Sequence, residues 1–103
     1  MNHQLTKIVA TLGPSTAGKE KIRALADAGV NVFRLNFSHG THETHLQNYT
    51  YIREIAKETN RHFSVLADMQ GPKLRIGNFK DGKIILKKNQ SFRLDMNPEA
   101  GDE

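Results

Sequence analysis

Val32-Phe33-Arg34-Leu35-Asn36-Phe37-Ser38-His39-Gly40 is the stretch on which the reading of this chain turns. It opens as an apolar, strand-forming run and becomes polar within four residues. Val32, Phe33 and Leu35 favour a pleated, buried backbone. Arg34 carries a fixed charge, and Asn36, Ser38 and His39 each donate or accept hydrogen bonds. Gly40 permits a sharp exit, and Thr41 is a good cap for a following helix. A buried strand that opens into a polar loop presents its ligand-binding groups at its C-terminal end in parallel α/β folds.

Working outward, the same alternation recurs. Lys7–Leu12 reads as a short buried strand ended by Gly13-Pro14. Ser15 or Thr16 is placed to cap a helix running to about Ala28, with Ile22, Leu25 and Ala26 on one face and Gly29 suited to the left-handed position beyond its end. Val30–Asn36 is the second strand. Thr41 to about Glu58 is the second helix, with Leu46, Tyr49, Ile52, Ile55 and Ala56 as its apolar side and Asn60 placed to close it. Phe63–Ala67 is the third strand, ending at Asp68. Strands alternating with helices predict parallel pairing through right-handed crossovers. The three strands then end on one edge, which gathers Thr11, Ser15, Arg34, Asn36, Ser38, His39 and Asp68.

After Gly71-Pro72 the pattern changes. Leu74–Phe79, Ile84–Leu86 and Phe92–Met96 read as strands without intervening helices, and Asp81-Gly82 is a hairpin signal. This predicts antiparallel β and a boundary near Gly71, giving domains 1–70 and 71–103. Three parallel strands with two helices leave sheet edges unpaired, and the β part has only about three strands. The sequence therefore reads as the opening of a larger protein.

Composition sets wide bounds. The 103 residues are 37% hydrophobic and 25% charged, ordinary for a globular chain, with a formal net charge of +4. That charge suits phosphorylated small molecules or nucleic acid and does not choose between them. No apolar run approaches the ~20 residues of a membrane span. The N-terminal residues lack the apolar core of a secretory signal. With no cysteine there are no disulfides or thiolate metal sites, which is compatible with a reducing cytosol.

Three motifs carry a resemblance. Lys7-Ile8-Val9-Ala10-Thr11-Leu12-Gly13-Pro14-Ser15 resembles the first strand and turn of the pyruvate kinases. Arg34-Leu35-Asn36-Phe37-Ser38-His39-Gly40 resembles their second-strand active-site motif. Asp68-Met69-Gln70-Gly71-Pro72-Lys73-Leu74-Arg75 resembles the junction from their third strand into a mobile lid. The motifs stand in the family's order and spacing and span roughly Thr6 to Asp95.

The resemblance implies an α/β fold: part of a TIM (β/α)8 barrel of three parallel strands and two helices, followed by the start of an antiparallel β-barrel lid. It implies a cytoplasmic glycolytic enzyme that moves a phosphoryl group from phosphoenolpyruvate to ADP, giving pyruvate and ATP. The family is typically homotetrameric. Arg34 would face the transferred phosphoryl group. Asn36, Ser38, Asp68 and the Met69 carbonyl match a monovalent-cation (K⁺) site. Asn36, His39 and Arg75 match nucleotide contacts, and Gly71-Pro72 the lid hinge. The Mg²⁺ ligands and catalytic lysine would come from segments outside this chain, which alone is expected to be inactive. Lys73, with Met69 and Gln70, resembles members that work without potassium, its ammonium standing in for the ion.

Plainer readings stand beside these. Arg34 at a strand end also suits an ion pair, Asp68 a turn cap, and His39 simple solvation. His42 and His45 sit three apart near a Glu, a thin signal for metal. Lys80, Lys83, Lys87 and Lys88 suit a solvated hairpin face, or the basic strip of a small nucleic-acid-binding module. That alternative has only Phe79 and Phe92 to interleave with the lysines, and it lacks a recognisable RNA-binding motif.

Overall fold

The computed structural model describes residues 4–102; Met1 to His3 and Glu103, the outer ends of the two domains read above, lie outside them. The chain divides into two compact units at Gly71/Pro72.

The first unit is a parallel sheet of β1 (Val9–Leu12), β2 (Val32–Asn36) and β3 (Ser64–Asp68) in the order β1-β2-β3. Helices α1 (Lys19–Asp27) and α2 (His42–Thr59) alternate with the strands and pack against each other. Register sets Thr11, Arg34 and Leu66 side by side, with Asn36 beside Asp68 one step further along one face. Because side chains alternate along a strand, Leu12, Phe33 and Leu35 fall on the opposite face. That face holds the core: Leu12, Phe33 and Leu35 from the sheet with Ile22, Ala26, Ile52 and Ile55 from the helices. Phe63 joins edge-on to Phe33 at 5.7 Å between ring centroids. The other face is open, with Val9 55% and Leu66 45% exposed.

Local chemistry sets the element ends. Gly29 has φ +112°, and with Gly29 N donating to Ala26 O and Val30 N to Leu25 O it closes α1 in the left-handed cap its type predicts. Thr41 caps α2 by accepting from Thr44 N at 3.2 Å, and Asn60 closes it at φ 51°. The start of α1 differs from the sequence reading. Pro14–Thr16 forms a separate 3-10 turn, in which Thr16 Oγ1 accepts from Gly13 N at 2.8 Å, and Gly18 stands at the cap of α1. The apolar side of α2 also differs. Ile52 and Ile55 are buried as predicted, but Leu46 is 65% and Tyr49 42% exposed, and His45 takes the buried place on that stripe.

In the second unit the predicted strands Leu74–Phe79, Ile84–Leu86 and Phe92–Met96 do not form among the described residues. Among the described residues a bridge outside the named strands joins Phe79 to Gly101 in parallel sense, and an antiparallel lid start is not seen among them. The Asp81-Gly82 turn does form, with Gly82 N donating to Phe79 O at 3.0 Å. The flanking segments lack a layer to bury against: Leu74, Ile76, Leu94 and Met96 are all exposed. A hairpin without such a layer is marginal in water.

Candidate functional site

The C-terminal edge of the sheet brings together most of the residues singled out above. Arg34 projects from the middle of β2 onto the open face. Its Nε donates to Asp68 Oδ2 at 3.1 Å, an Nη donor reaches the same oxygen, and the other Nη donates to Thr11 Oγ1 at 3.1 Å. One guanidinium thus ties all three strands together. It is only about a third exposed, and three of its five N–H donors make these bonds. The ion-pair reading of Arg34 therefore holds in this structure, with its partner on the next strand.

Beyond Arg34 the chain turns. Asn36 Oδ1 accepts from Ser38 N at 3.1 Å, and Asn36 O accepts from His39 N at 3.2 Å. A short amide side chain bonding the backbone two residues on is a local way to bend a chain. The turn is clamped to the end of β3: Phe37 N donates to Asp68 O at 2.9 Å, and Gln70 Nε2 donates to Phe37 O at 2.6 Å. It leaves through Gly40 at φ +74°, a left-handed conformation that favours glycine. Asn36 and Asp68 are register partners, so the amide oxygen, the carboxylate and the Ser38 loop share one end of the sheet. Ser38 is half-buried; His39 and Met69 are exposed.

Amide, hydroxyl, carboxylate and carbonyl oxygens are hard donors, the set a monovalent cation or Mg²⁺ prefers. The single carboxylate of the cluster, Asp68, is ion-paired with Arg34, and the Asn36 oxygen keeps a second lone pair beside its bond to Ser38 N. Among the described residues no group of three or more His, Cys, Asp or Glu is placed to hold a metal. Arg75 and Lys73 belong to the second unit, where Arg75 is exposed.

Two contributors were not assigned to the site from sequence. Gln70, which the family resemblance groups with Lys73, fastens Phe37. His45 Nε2 lies 2.7 Å from His39 O. Neither bond leaves a trace in spacing or composition.

The family model for the pyruvate kinase barrel domain matches residues 3–103. The pyruvate kinase of Buchnera aphidicola is 53% identical over 92 residues, covering 89% of this chain and 19% of that protein. That of Corynebacterium glutamicum is 46% identical over 96 residues, covering 93% and 20%. The crystal structure of Cryptosporidium parvum pyruvate kinase superposes with a TM-score of 0.67 at 42% identity, over 78% of this chain and 17% of that one. The chain thus spans about a fifth of the length of such relatives. The match also runs through the lysine-rich segment, so the nucleic-acid-module alternative finds no support. This chain belongs to the pyruvate kinase family.

Proposed function

We propose that this chain is the opening part of an enzyme that transfers the phosphoryl group of phosphoenolpyruvate to ADP. The observation that carries the reading is Arg34, held on the open sheet face beside a cluster of oxygen donors. A phosphoryl group in transfer bears negative charge on its equatorial oxygens, and little covalent chemistry is left for the protein. Catalysis is positioning plus charge stabilisation. The planar fork of Arg34 matches two such oxygens. Thr11 and Asp68 orient it before substrate arrives, which lowers the cost of ordering it in the transition state.

Asn36, Ser38, Asp68 and the Met69 carbonyl would hold a monovalent cation, which adds positive charge near the substrate phosphates when bound. In this reading Lys73 supplies an equivalent charge, so potassium is not required. Asn36, His39 and Arg75 would contact the nucleotide, with Gly71-Pro72 as the hinge of a closing lid that excludes water. Mg²⁺ ligands and the catalytic lysine belong to segments outside this chain. The parent enzyme would be cytoplasmic and a homo-oligomer. No helix among the described residues is long and apolar enough to cross a membrane.

The test is a lactate-dehydrogenase-coupled assay on the full-length protein and on this chain alone. The full-length protein should form pyruvate only when both phosphoenolpyruvate and ADP are present, and the isolated chain should read background. Turnover by the isolated chain that survives repurification would show that the segments assigned elsewhere are dispensable.

A further inference from the structure

We propose that His45 is the positioning residue of the Asn36–Gly40 loop, holding it from the helix side while β3 holds it from the sheet side. His45 lies in the first turns of α2 and is 8% exposed, the only buried polar residue among those described. Its Nε2 sits 2.7 Å from His39 O. A carbonyl oxygen only accepts, so the ring carries its proton on Nε2 and donates it there. Nδ1 is buried with no hydrogen-bond partner among the described residues. A buried polar atom left unbonded is costly, and the Nε2 bond to His39 O and the ring's packing offset that cost.

The packing around the ring points the same way. Phe37, from the middle of the loop, stacks on His45 at 4.4 Å between centroids with an interplanar angle of 28°. Gly40 passes so close that a Cβ there would lie 3.2 Å from Nε2. The ring is therefore enclosed by loop residues on two sides and bonded to a third. The backbone of the same Phe37 is held at the end of β3 and the residues just beyond it, its N–H donating to Asp68 O and its O accepting from Gln70 Nε2. Ser38 lies between Phe37 and His39, and the His39 imidazole follows directly on the bonded segment, so losing the His45 bond loosens Ser38 and His39 while Asn36 stays paired with Asp68 in the sheet. What that loop binds rests on the function proposed above; the anchorage itself does not.

The experiment uses the full-length protein with His45→Leu, His45→Asn and His45→Gln. Glutamine carries an N–H at about the reach of Nε2, whereas asparagine stops short at about the reach of Nδ1. The first readout is hydrogen–deuterium exchange of the peptide covering residues 37–41, which needs no activity. In the Leu and Asn variants this peptide should exchange roughly ten-fold faster than in the unaltered protein, with β2 still protected, while Gln restores most of the protection. The second readout is steady-state kinetics: the KM for ADP should rise roughly ten-fold in the Leu and Asn variants and return towards its original value in Gln, a pattern that simple loss of stability would not produce. If the Leu variant fails to fold, the comparison of Gln with Asn decides. Undisturbed loop exchange in the Asn variant, or a Gln variant no better than Asn, overturns the proposal. A full-length protein with no activity towards phosphoenolpyruvate and ADP would sink the proposed function, and the exchange data would still decide the role of His45.

Discussion

Arg34 and Asp68 meet diagonally across β2 and β3: Arg34 pairs in register with Leu66, yet its Nε donates to Asp68 Oδ2 two residues further on, at 3.1 Å. Period-two alternation puts Asp68 on the same face as Leu66, and a long arginine spans the diagonal. The contact draws the guanidinium towards the C-terminal edge, where Asn36 stands beside Asp68. Strand register brings Arg34, Asn36 and Asp68 together there, and the loop that follows β2 adds Ser38 and His39.

The first prediction concerns the ion cluster between the helices. Lys19 Nζ lies 2.7 Å from Glu54 Oε2 and 2.6 Å from Glu58 Oε1. The hydrogen bond from Lys19, and then the charges of Lys19 and Arg23, hold the Glu58 carboxyl below its ordinary value. A carboxyl lowered in the folded state contributes stability above its unfolded pKa and loses it as pH falls through the folded one. Glu58→Gln should therefore lower the thermal midpoint slightly at neutral pH, and the difference from the unaltered protein should vanish well below about pH 4. A gap that persists unchanged in acid would contradict this.

Asn60 supplies the second. It ends α2 at φ 51°, with its N–H directed to Ala56 O and Lys57 O. Asn60→Ala places a Cβ residue without a helpful side chain in the left-handed region and should cost ~1 kcal/mol. Asn60→Gly should match or exceed the original. Thermal midpoints in the order Gly, Asn, Ala check the account; Ala equal to Asn refutes it.

The third concerns Lys73. If its ammonium replaces a free cation, turnover of the full-length enzyme in tetramethylammonium buffer should not rise on adding potassium. Lys73→Glu should create a requirement, because a carboxylate there needs an external cation beside it. A ten-fold or greater rise with potassium in the unaltered enzyme would remove Lys73 from this role.

How far the sequence carried this picture depends on how local each signal was. β1, β2, β3 and the ends of α2 were legible because apolar runs, Thr41 and Asn60 act within a few residues of themselves. The gathering of Thr11, Arg34, Asn36, Ser38 and Asp68 at one edge followed from parallel alternation alone. The buried face of α2 was misjudged at Leu46 and Tyr49 because the pattern counted only apolar residues. At about 100° per residue, the stripe that Ile52 and Ile55 define runs through His45, and what admits His45 is its bond to His39 O, a contact no periodicity displays. The 3-10 turn before α1 escaped because Thr16 bonds Gly13 rather than the helix. The segments after Gly71 alternate convincingly, but alternation specifies a strand only where a sheet is present to receive it.

The most direct test of the account is the turnover number of the full-length enzyme carrying Arg34→Lys, measured beside the unaltered protein with phosphoenolpyruvate and ADP. Lysine preserves the charge and loses the fork that spans two phosphoryl oxygens. The unaltered enzyme should turn over, and the variant should lose on the order of 10²–10³ in kcat with a much smaller change in KM for ADP. An unchanged kcat in Arg34→Lys would contradict the account.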